Sequence, residues 1–271
     1  ETYFVKAYDP DLLTEDWRRD EMQCYLRKEA RVYEHLAQHE FARAPPLLLF
    51  DEGMLVLQGL STQRGWHWRA PDDPDLRTRY IEDITEAFRQ LERIPVLPVT
   101  TEDENSMDTF YDHGWDKLHD LDVPDIVEKN LEKWATDLHA ETPGSARHMA
   151  KSVGDIAVKR VNMSKNTLNH HDARQSNIAW HPEHGAKIVD WSWADGGLPD
   201  GDATMLLLDL HKADHDISDH VARSNPTYAK MMLGYWLQRS QTEHAEGLDE
   251  VRKQQFISAV KAAELIRILD S

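Results

Sequence analysis

His170, Asp172, Asn177 and Asp190 are the residues of this chain whose types and spacing carry the most chemistry. They lie in His170-His171-Asp172-Ala173-Arg174-Gln175-Ser176-Asn177 and in Ile188-Val189-Asp190-Trp191. A carboxylate able to receive a proton stands five residues before an amide, and a second carboxylate follows. One base and two oxygen ligands for a hard divalent cation are thus supplied in order. The set suits phosphoryl transfer from a nucleoside triphosphate, in which the protein positions the acceptor hydroxyl, takes its proton and neutralises the polyphosphate through bound metal. Asp172 would be the base, and Asn177 and Asp190 the ligands of Mg2+.

Local structure must bring these groups together. Ile178-Ala179-Trp180 and Lys187-Ile188-Val189 are β-prone runs, and His181-Pro182-Glu183-His184-Gly185 between them carries the Pro and Gly of a turn. Pairing the arms symmetrically sets residue 178 opposite 189, so the hairpin is expected to place Asn177 and Asp190 side by side at its open end. Ahead of it, Tyr3-Phe4-Val5-Lys6-Ala7-Tyr8 reads as a strand containing a lysine. The spacing of Leu26, Ala30, Tyr33 and Leu36 predicts an amphipathic helix over roughly Thr14 to Gln38 that also carries Glu29. Leu47–Phe50 and Met54–Gln58, joined by Asp51-Glu52-Gly53, read as a second hairpin.

Downstream the pattern is mainly helical. Tyr80, Ile84, Phe88 and Leu91 space one helix that ends before Pro95, and Ile126, Val127, Leu131, Trp134 and Leu138 space another after Pro124. Further helices are expected near 146–162, over Tyr228–Arg239 and over Leu248–Leu269. Val99–Leu121 is acidic and broken by Asn and Gly, and is expected to be irregular.

On these motifs the chain resembles the aminoglycoside phosphotransferase and choline kinase-like family, small-molecule relatives of the protein kinases. His170, Asp172 and Asn177 match that family's catalytic loop, Asp190-Trp191 its metal-binding Asp-Trp, and Gly197-Leu198-Pro199-Asp200-Gly201-Asp202 its Gly-x-Pro-x-x-Asp. His171 departs from the pattern, which has Gly there. The resemblance implies an α+β, two-lobed protein kinase-like fold, with a small β-rich, truncated N-lobe over 1–58, a hinge at 59–61 and a larger, mainly helical C-lobe over 62–271. It implies ATP and Mg2+ as cofactors. Lys6, held by Glu29, would contact the α and β phosphates, and His170 would brace the loop. Gln58 and Leu60 would present hinge backbone groups to adenine. Asp202 would support the catalytic loop, with a helix N-cap as its plainer role. Glu1 stands five residues before Lys6, so the strands and phosphate-covering loop that precede the lysine strand in the kinase plan are expected upstream or lost.

Composition narrows the partners. The chain has 271 residues, 40% of them apolar and 30% charged, the make-up of a globular protein with an ample core. A formal net charge of -18 argues against a nucleic-acid surface and favours cationic, amine-bearing acceptors. The resemblance places the acceptor site downstream of the catalytic loop, near Asp209, Asp214, Asp216 and Asp219. A single cysteine, Cys24, builds no internal disulfide framework, which points to the cytoplasm. No apolar run reaches the length of a membrane span. Trp66 and Trp68 could stack on a base, although core packing is the usual fate of tryptophan. His181 and His184 have the spacing of a metal pair but fall in an exposed turn.

The leading expectation is an ATP-dependent kinase acting on a hydroxyl of a small molecule. Two alternatives stay open: a catalytically silent, nucleotide-binding kinase fold, and a metal-dependent phosphohydrolase built on His170-His171-Asp172. The second needs a helix where the sequence reads as strand and turn.

Overall fold

The computed structural model describes residues 2–7, 16–51, 53–98, 106–118, 121–134, 166–241 and 248–270. These divide between two compact units, one within Glu1–Asp103 and Lys165–Ala203, the other within Glu104–Ser164 and Thr204–Ser271. The helix expected near 146–162 lies outside the described residues.

The first unit begins with β1 (Tyr3–Ala7), α1 (Asp16–Gln38), β2 (Leu47–Asp51) and β3 (Met54–Gln58). The strands form an antiparallel sheet in the order β1-β3-β2, with Lys6 opposite Leu55. Leu26, Ala30, Tyr33 and Leu36 of α1 are buried at helical spacing, as the sequence pattern requires, and Glu29 is buried on the same helix. The next helix, α2 (Pro74–Leu91), starts where Asp73 accepts a hydrogen bond from the Leu76 amide at 2.9 Å and Pro74 fills the first turn. Its buried face runs through Tyr80, Ile84, Phe88 and Leu91.

Two short strand pairs and turns then build the loop region. β4 (Thr167–Asn169) pairs with β7 (Asp195–Gly197), and β5 (Ile178–His181) pairs with β6 (Gly185–Ile188). The β5–β6 register differs from the symmetric pairing expected above: Ile178 faces Ile188, and Asn177 faces Val189 through a 2.9 Å bond from the Val189 amide. Three residues, Pro182 to His184, make the turn, and Gly185 adopts φ 73° opposite His181, which shifts the ladder by one. Asp190 is therefore one step beyond the ladder, in a left-handed conformation with φ 65° and ψ 64°.

Trp191 is the keystone of this unit. It is fully buried, donates its indole N–H to the Ile188 carbonyl at 3.0 Å, and meets Tyr33, Phe41 and His170 edge-on at 6.4, 6.1 and 4.6 Å. One ring thus fixes α1, the hairpin and the residues before Asp172 to a common point.

In the second unit, α3 (Ser106–Asp112) and α4 (Trp115–Leu118) occupy part of the stretch expected to be irregular. Their order comes from packing: Phe110 meets Tyr235 at 5.0 Å, and the Trp115 indole donates to the Lys230 carbonyl at 2.8 Å. Around them lie α5 (Val123–Lys133), α6 (Gly201–Lys212, which starts in the first unit), α7 (Pro226–Gln241) and α8 (Asp249–Leu269). No helix among the described residues is long and apolar enough to cross a membrane.

Candidate active site

In the first unit, hydrogen bonds join Lys6, Glu29 and Asp190 in one set and His170, Asp172 and Asn177 in another, and His170 and Asn177 both bond the backbone of Val189, next to Asp190. Lys6, from β1, puts its ammonium 2.7 Å from Glu29 Oε2 and 2.7 Å from Asp190 Oδ1. Burial alone would lower the Lys6 pKa, but the two carboxylates outweigh it and hold the ammonium charged. Glu29 is pushed up by its burial, which Lys6 only partly offsets. Asp190 is more exposed: burial pushes it up, yet the bond and charge of Lys6 bring it below the ordinary carboxylate range. Asp190 also accepts from Ser192 Oγ at 3.3 Å, again on Oδ1.

Asp172 ends the loop from β4. Its Oδ2 accepts from Asn177 Nδ2 at 2.9 Å, and the same nitrogen donates to the Asp172 carbonyl at 2.9 Å. Both partners are acceptors, which fixes the Asn177 amide with its nitrogen toward Asp172 and leaves its carbonyl oxygen on the other side. The guanidinium of Arg174 grips the Asp172 carboxylate with two bonds, Nε to Oδ1 at 2.5 Å and Nη2 to Oδ2 at 2.7 Å.

His170 is fully buried and uses both ring nitrogens: one meets the Val189 carbonyl at 2.9 Å, the other accepts from the Asp172 amide at 3.2 Å. An imidazole that donates at one nitrogen and accepts at the other is neutral, and burial lowers its pKa accordingly. His170 therefore ties the Asp172 loop to the hairpin strand that leads to Asp190.

Beneath the loop, Asp202 in the first turn of α6 accepts the backbone amides of His170 at 2.7 Å and His171 at 2.9 Å. It supports the loop instead of capping its own helix. Burial pushes its pKa to about 7, against the opposing pull of those amides. His171 has φ 64°, the left-handed conformation for which glycine is the usual residue. Its buried imidazole is held down to about 3 by desolvation. Gly197 makes the room: a Cβ there would stand 2.6 Å from His171 Cε1 and 2.5 Å from Asn169 Oδ1.

A cavity of 310 Å³ opens in this unit, lined by Tyr3, Leu57, Gln58, Leu60, Trp68 and Val189 among others. Gln58 and Leu60, the residues expected to offer hinge backbone groups, are both in this lining. Trp68 is half-buried at this wall and not in the core, and its indole donates to the Leu60 carbonyl at 3.2 Å. Trp66 is likewise half-buried, packed against the stacked rings of His181 and His184.

The oxygen donors suit a hard divalent cation. Asn177 directs its nitrogen to Asp172, so its carbonyl oxygen, which accepts only a long 3.5 Å bond from Ser176 Oγ, is the atom that could bind, and Asp190 takes its bonds from Lys6 and Ser192 on Oδ1, leaving Oδ2 without a hydrogen bond among the described residues. The phosphohydrolase alternative required a helix through His170-His171-Asp172, where the chain instead leaves a strand into turns. Among the described residues no group of three or more His, Cys, Asp or Glu gathers as a metal site. Asp209, Asp214, Asp216 and Asp219 all belong to the second unit, the last three exposed.

Sequence reasoning passed over Arg174, although its place two residues after Asp172 in a loop was a usable signal. It also missed the β4–β7 pair, whose three-residue strands and Gly196-Gly197 give no β pattern.

A family model for a phosphotransferase enzyme family matches residues 1–237. No curated protein sequence matches significantly. Among solved structures, the choline kinase LicA from Streptococcus pneumoniae is similar with a TM-score of 0.51 at 14% identity, covering 95% of this chain and 85% of that one. A choline/ethanolamine kinase family protein from Mesorhizobium loti gives 0.46 at 16% identity over 89% and 83%. An aminoglycoside-3'-phosphotransferase of type VIII gives 0.43 at 14% over 97% and 84%. The fold is the protein kinase-like one.

Proposed function

Because the chain belongs to the phosphotransferase enzyme family, we propose that it moves the γ-phosphate of ATP to a hydroxyl of a small, amine-bearing molecule. The observation that carries this reading is Lys6, joined at 2.7 Å to the buried Glu29 and at 2.7 Å to Asp190, the residue that follows Val189 of the cavity lined by Leu60 and Trp68. A strand lysine held in this way suits the α and β phosphates of a nucleotide whose base enters that cavity.

Asp172 takes the proton of the acceptor hydroxyl as its oxygen forms a bond to the γ-phosphorus. The bond between that phosphorus and the bridging oxygen breaks, and ADP leaves with the electron pair. His170 and Asp202 hold the loop through its backbone amides, so neither of them occupies the Asp172 carboxylate. Asn177 and Asp190 would hold Mg2+, which when bound neutralises charge on the phosphate oxygens. The amine preference follows from the net charge of -18, which concentrates cations near the protein.

The test is ADP release by the full-length protein with amine-bearing alcohols and neutral sugars as acceptors. Asp172→Asn should lower the rate by about 10²- to 10⁴-fold while nucleotide binding persists. A wild-type rate in that variant rejects Asp172 as base, and tight nucleotide binding with no turnover on any acceptor favours a silent kinase fold.

A further inference from the structure

Arg252, one turn into α8, is only 6% exposed, yet no carboxylate pairs with its guanidinium among the described residues. Its Nη1 donates to the neutral Gln255 Oε1 at 2.6 Å, and its Nε is buried without a partner. Arg239, just before the end of α7 at Gln241, has a buried Nε in the same condition. The two are neighbours: burial lowers the Arg252 pKa from its ordinary value, and the charge of Arg239 lowers it further, against a smaller pull from Tyr235. Acids of the same turn of α8 are committed to lysines, Asp249 to Lys133 at 2.7 Å and Glu250 to Lys253 at 2.6 Å. In a chain of 49 acidic and 31 basic residues, this place gathers positive charge against the average.

We propose that Arg239 and Arg252 form a binding site for a phosphate group, carried by inorganic phosphate or by a small phosphomonoester. An arginine keeps its proton throughout the range in which proteins stay folded, so a buried guanidinium without a counter-charge is a standing cost that a bound anion removes. Two such groups side by side call for two negative charges. A phosphate near neutral pH carries about that many and offers three or more acceptor oxygens, whereas a carboxylate would neutralise only one arginine. The unpartnered Nε of each fork is the donor that, with an Nη, makes the parallel pair of bonds by which arginine holds phosphate. The site uses residues of the second unit only and stands whether or not the ATP reading does.

Calorimetry on the full-length protein tests this in a phosphate-free buffer at constant ionic strength, with inorganic phosphate and phosphoethanolamine as probes. At least one should bind, and Arg239→Met and Arg252→Met should each weaken it about tenfold or more, the loss of one charge-assisted fork. Arg252→Lys, which keeps the charge without the fork, should fall between. Lys6→Met, which removes a cation of the proposed nucleotide site, should change the affinity less than about twofold. In urea unfolding the probe should raise the midpoint of the wild type and leave that of Arg252→Met unmoved, a comparison from which any difference in basal stability drops out. Preference for inorganic phosphate identifies the free anion and preference for phosphoethanolamine a phosphomonoester; either upholds the site. Binding of neither probe, binding untouched by both arginine→Met variants, or binding lost in Lys6→Met and kept in Arg252→Met overturns it.

Discussion

Two buried groups behind the catalytic loop respond to pH in opposite directions, and each can be exposed by deleting the other. His171 has its pKa lowered from 6.5 to about 3, chiefly by burial, and Asp202 has its own raised from 3.8 to about 7, also by burial. A base with a lowered folded pKa contributes stability that is present above its unfolded pKa and lost as pH falls toward the folded one. An acid with a raised folded pKa contributes stability that is present below its unfolded pKa and lost as pH rises through the folded one. Between about pH 4.5 and 6.0 the unfolded chain carries a proton on His171 that the fold excludes, while the fold keeps a proton on Asp202 that the unfolded chain has released. Each group then changes stability by about 2 kcal/mol across that interval, with opposite sign, so in the wild type the pair nearly cancels.

Urea unfolding followed by tryptophan fluorescence at several pH values tests this, using His171→Asn, whose side chain tolerates a positive φ, and Asp202→Asn. The stability advantage of wild type over His171→Asn should grow by about 2 kcal/mol from about pH 4.5 to 6.0, and its advantage over Asp202→Asn should fall by the same amount. Any constant cost of either substitution drops out of the slopes. Two slopes of the same sign, or a flat line for His171→Asn, would refute the burial argument.

Glu29→Gln leaves Lys6 paired with Asp190 alone and so draws the ammonium toward the proposed metal ligand; the KM for ATP in the ADP-release assay should rise about tenfold, the loss expected for one charge-assisted bond. Trp191→Ala removes the ring on which Tyr33, Phe41 and His170 converge and should cost about 3–5 kcal/mol in urea unfolding, with Trp191→Phe losing clearly less.

What the sequence made legible was whatever depends on local pattern. The α1 stripe through Leu26, Ala30, Tyr33 and Leu36 is buried as its period demands, and α2, α7 and α8 fall close to their apolar spacing and start signals. The β5–β6 hairpin was readable from Pro182 and Gly185, but its register was not. Symmetric pairing ignores that a left-handed glycine pairs across the turn, and one residue of error moved Asp190 off the ladder. Trp68 defied its residue type because its indole found the Leu60 carbonyl at a cavity wall, a polar partner that composition cannot reveal.

His171 shows the deeper limit. From the sequence it is a lone departure from a glycine position, and the left-handed backbone it adopts costs about 1 kcal/mol or more. The compensation comes from residues far along the chain: Asp202 takes its amide, and Gly197, brought alongside by the β4–β7 pairing, leaves space for its ring. Neither partner advertises that role in its local pattern, where Asp202 reads as a helix cap and Gly197 as a loop residue; support of the loop by Asp202 was implied by the family resemblance alone. The position becomes intelligible only when the short strand pair is known. That pair is invisible to periodicity because three-residue strands with two glycines are held by the contacts they serve, not by their own propensity.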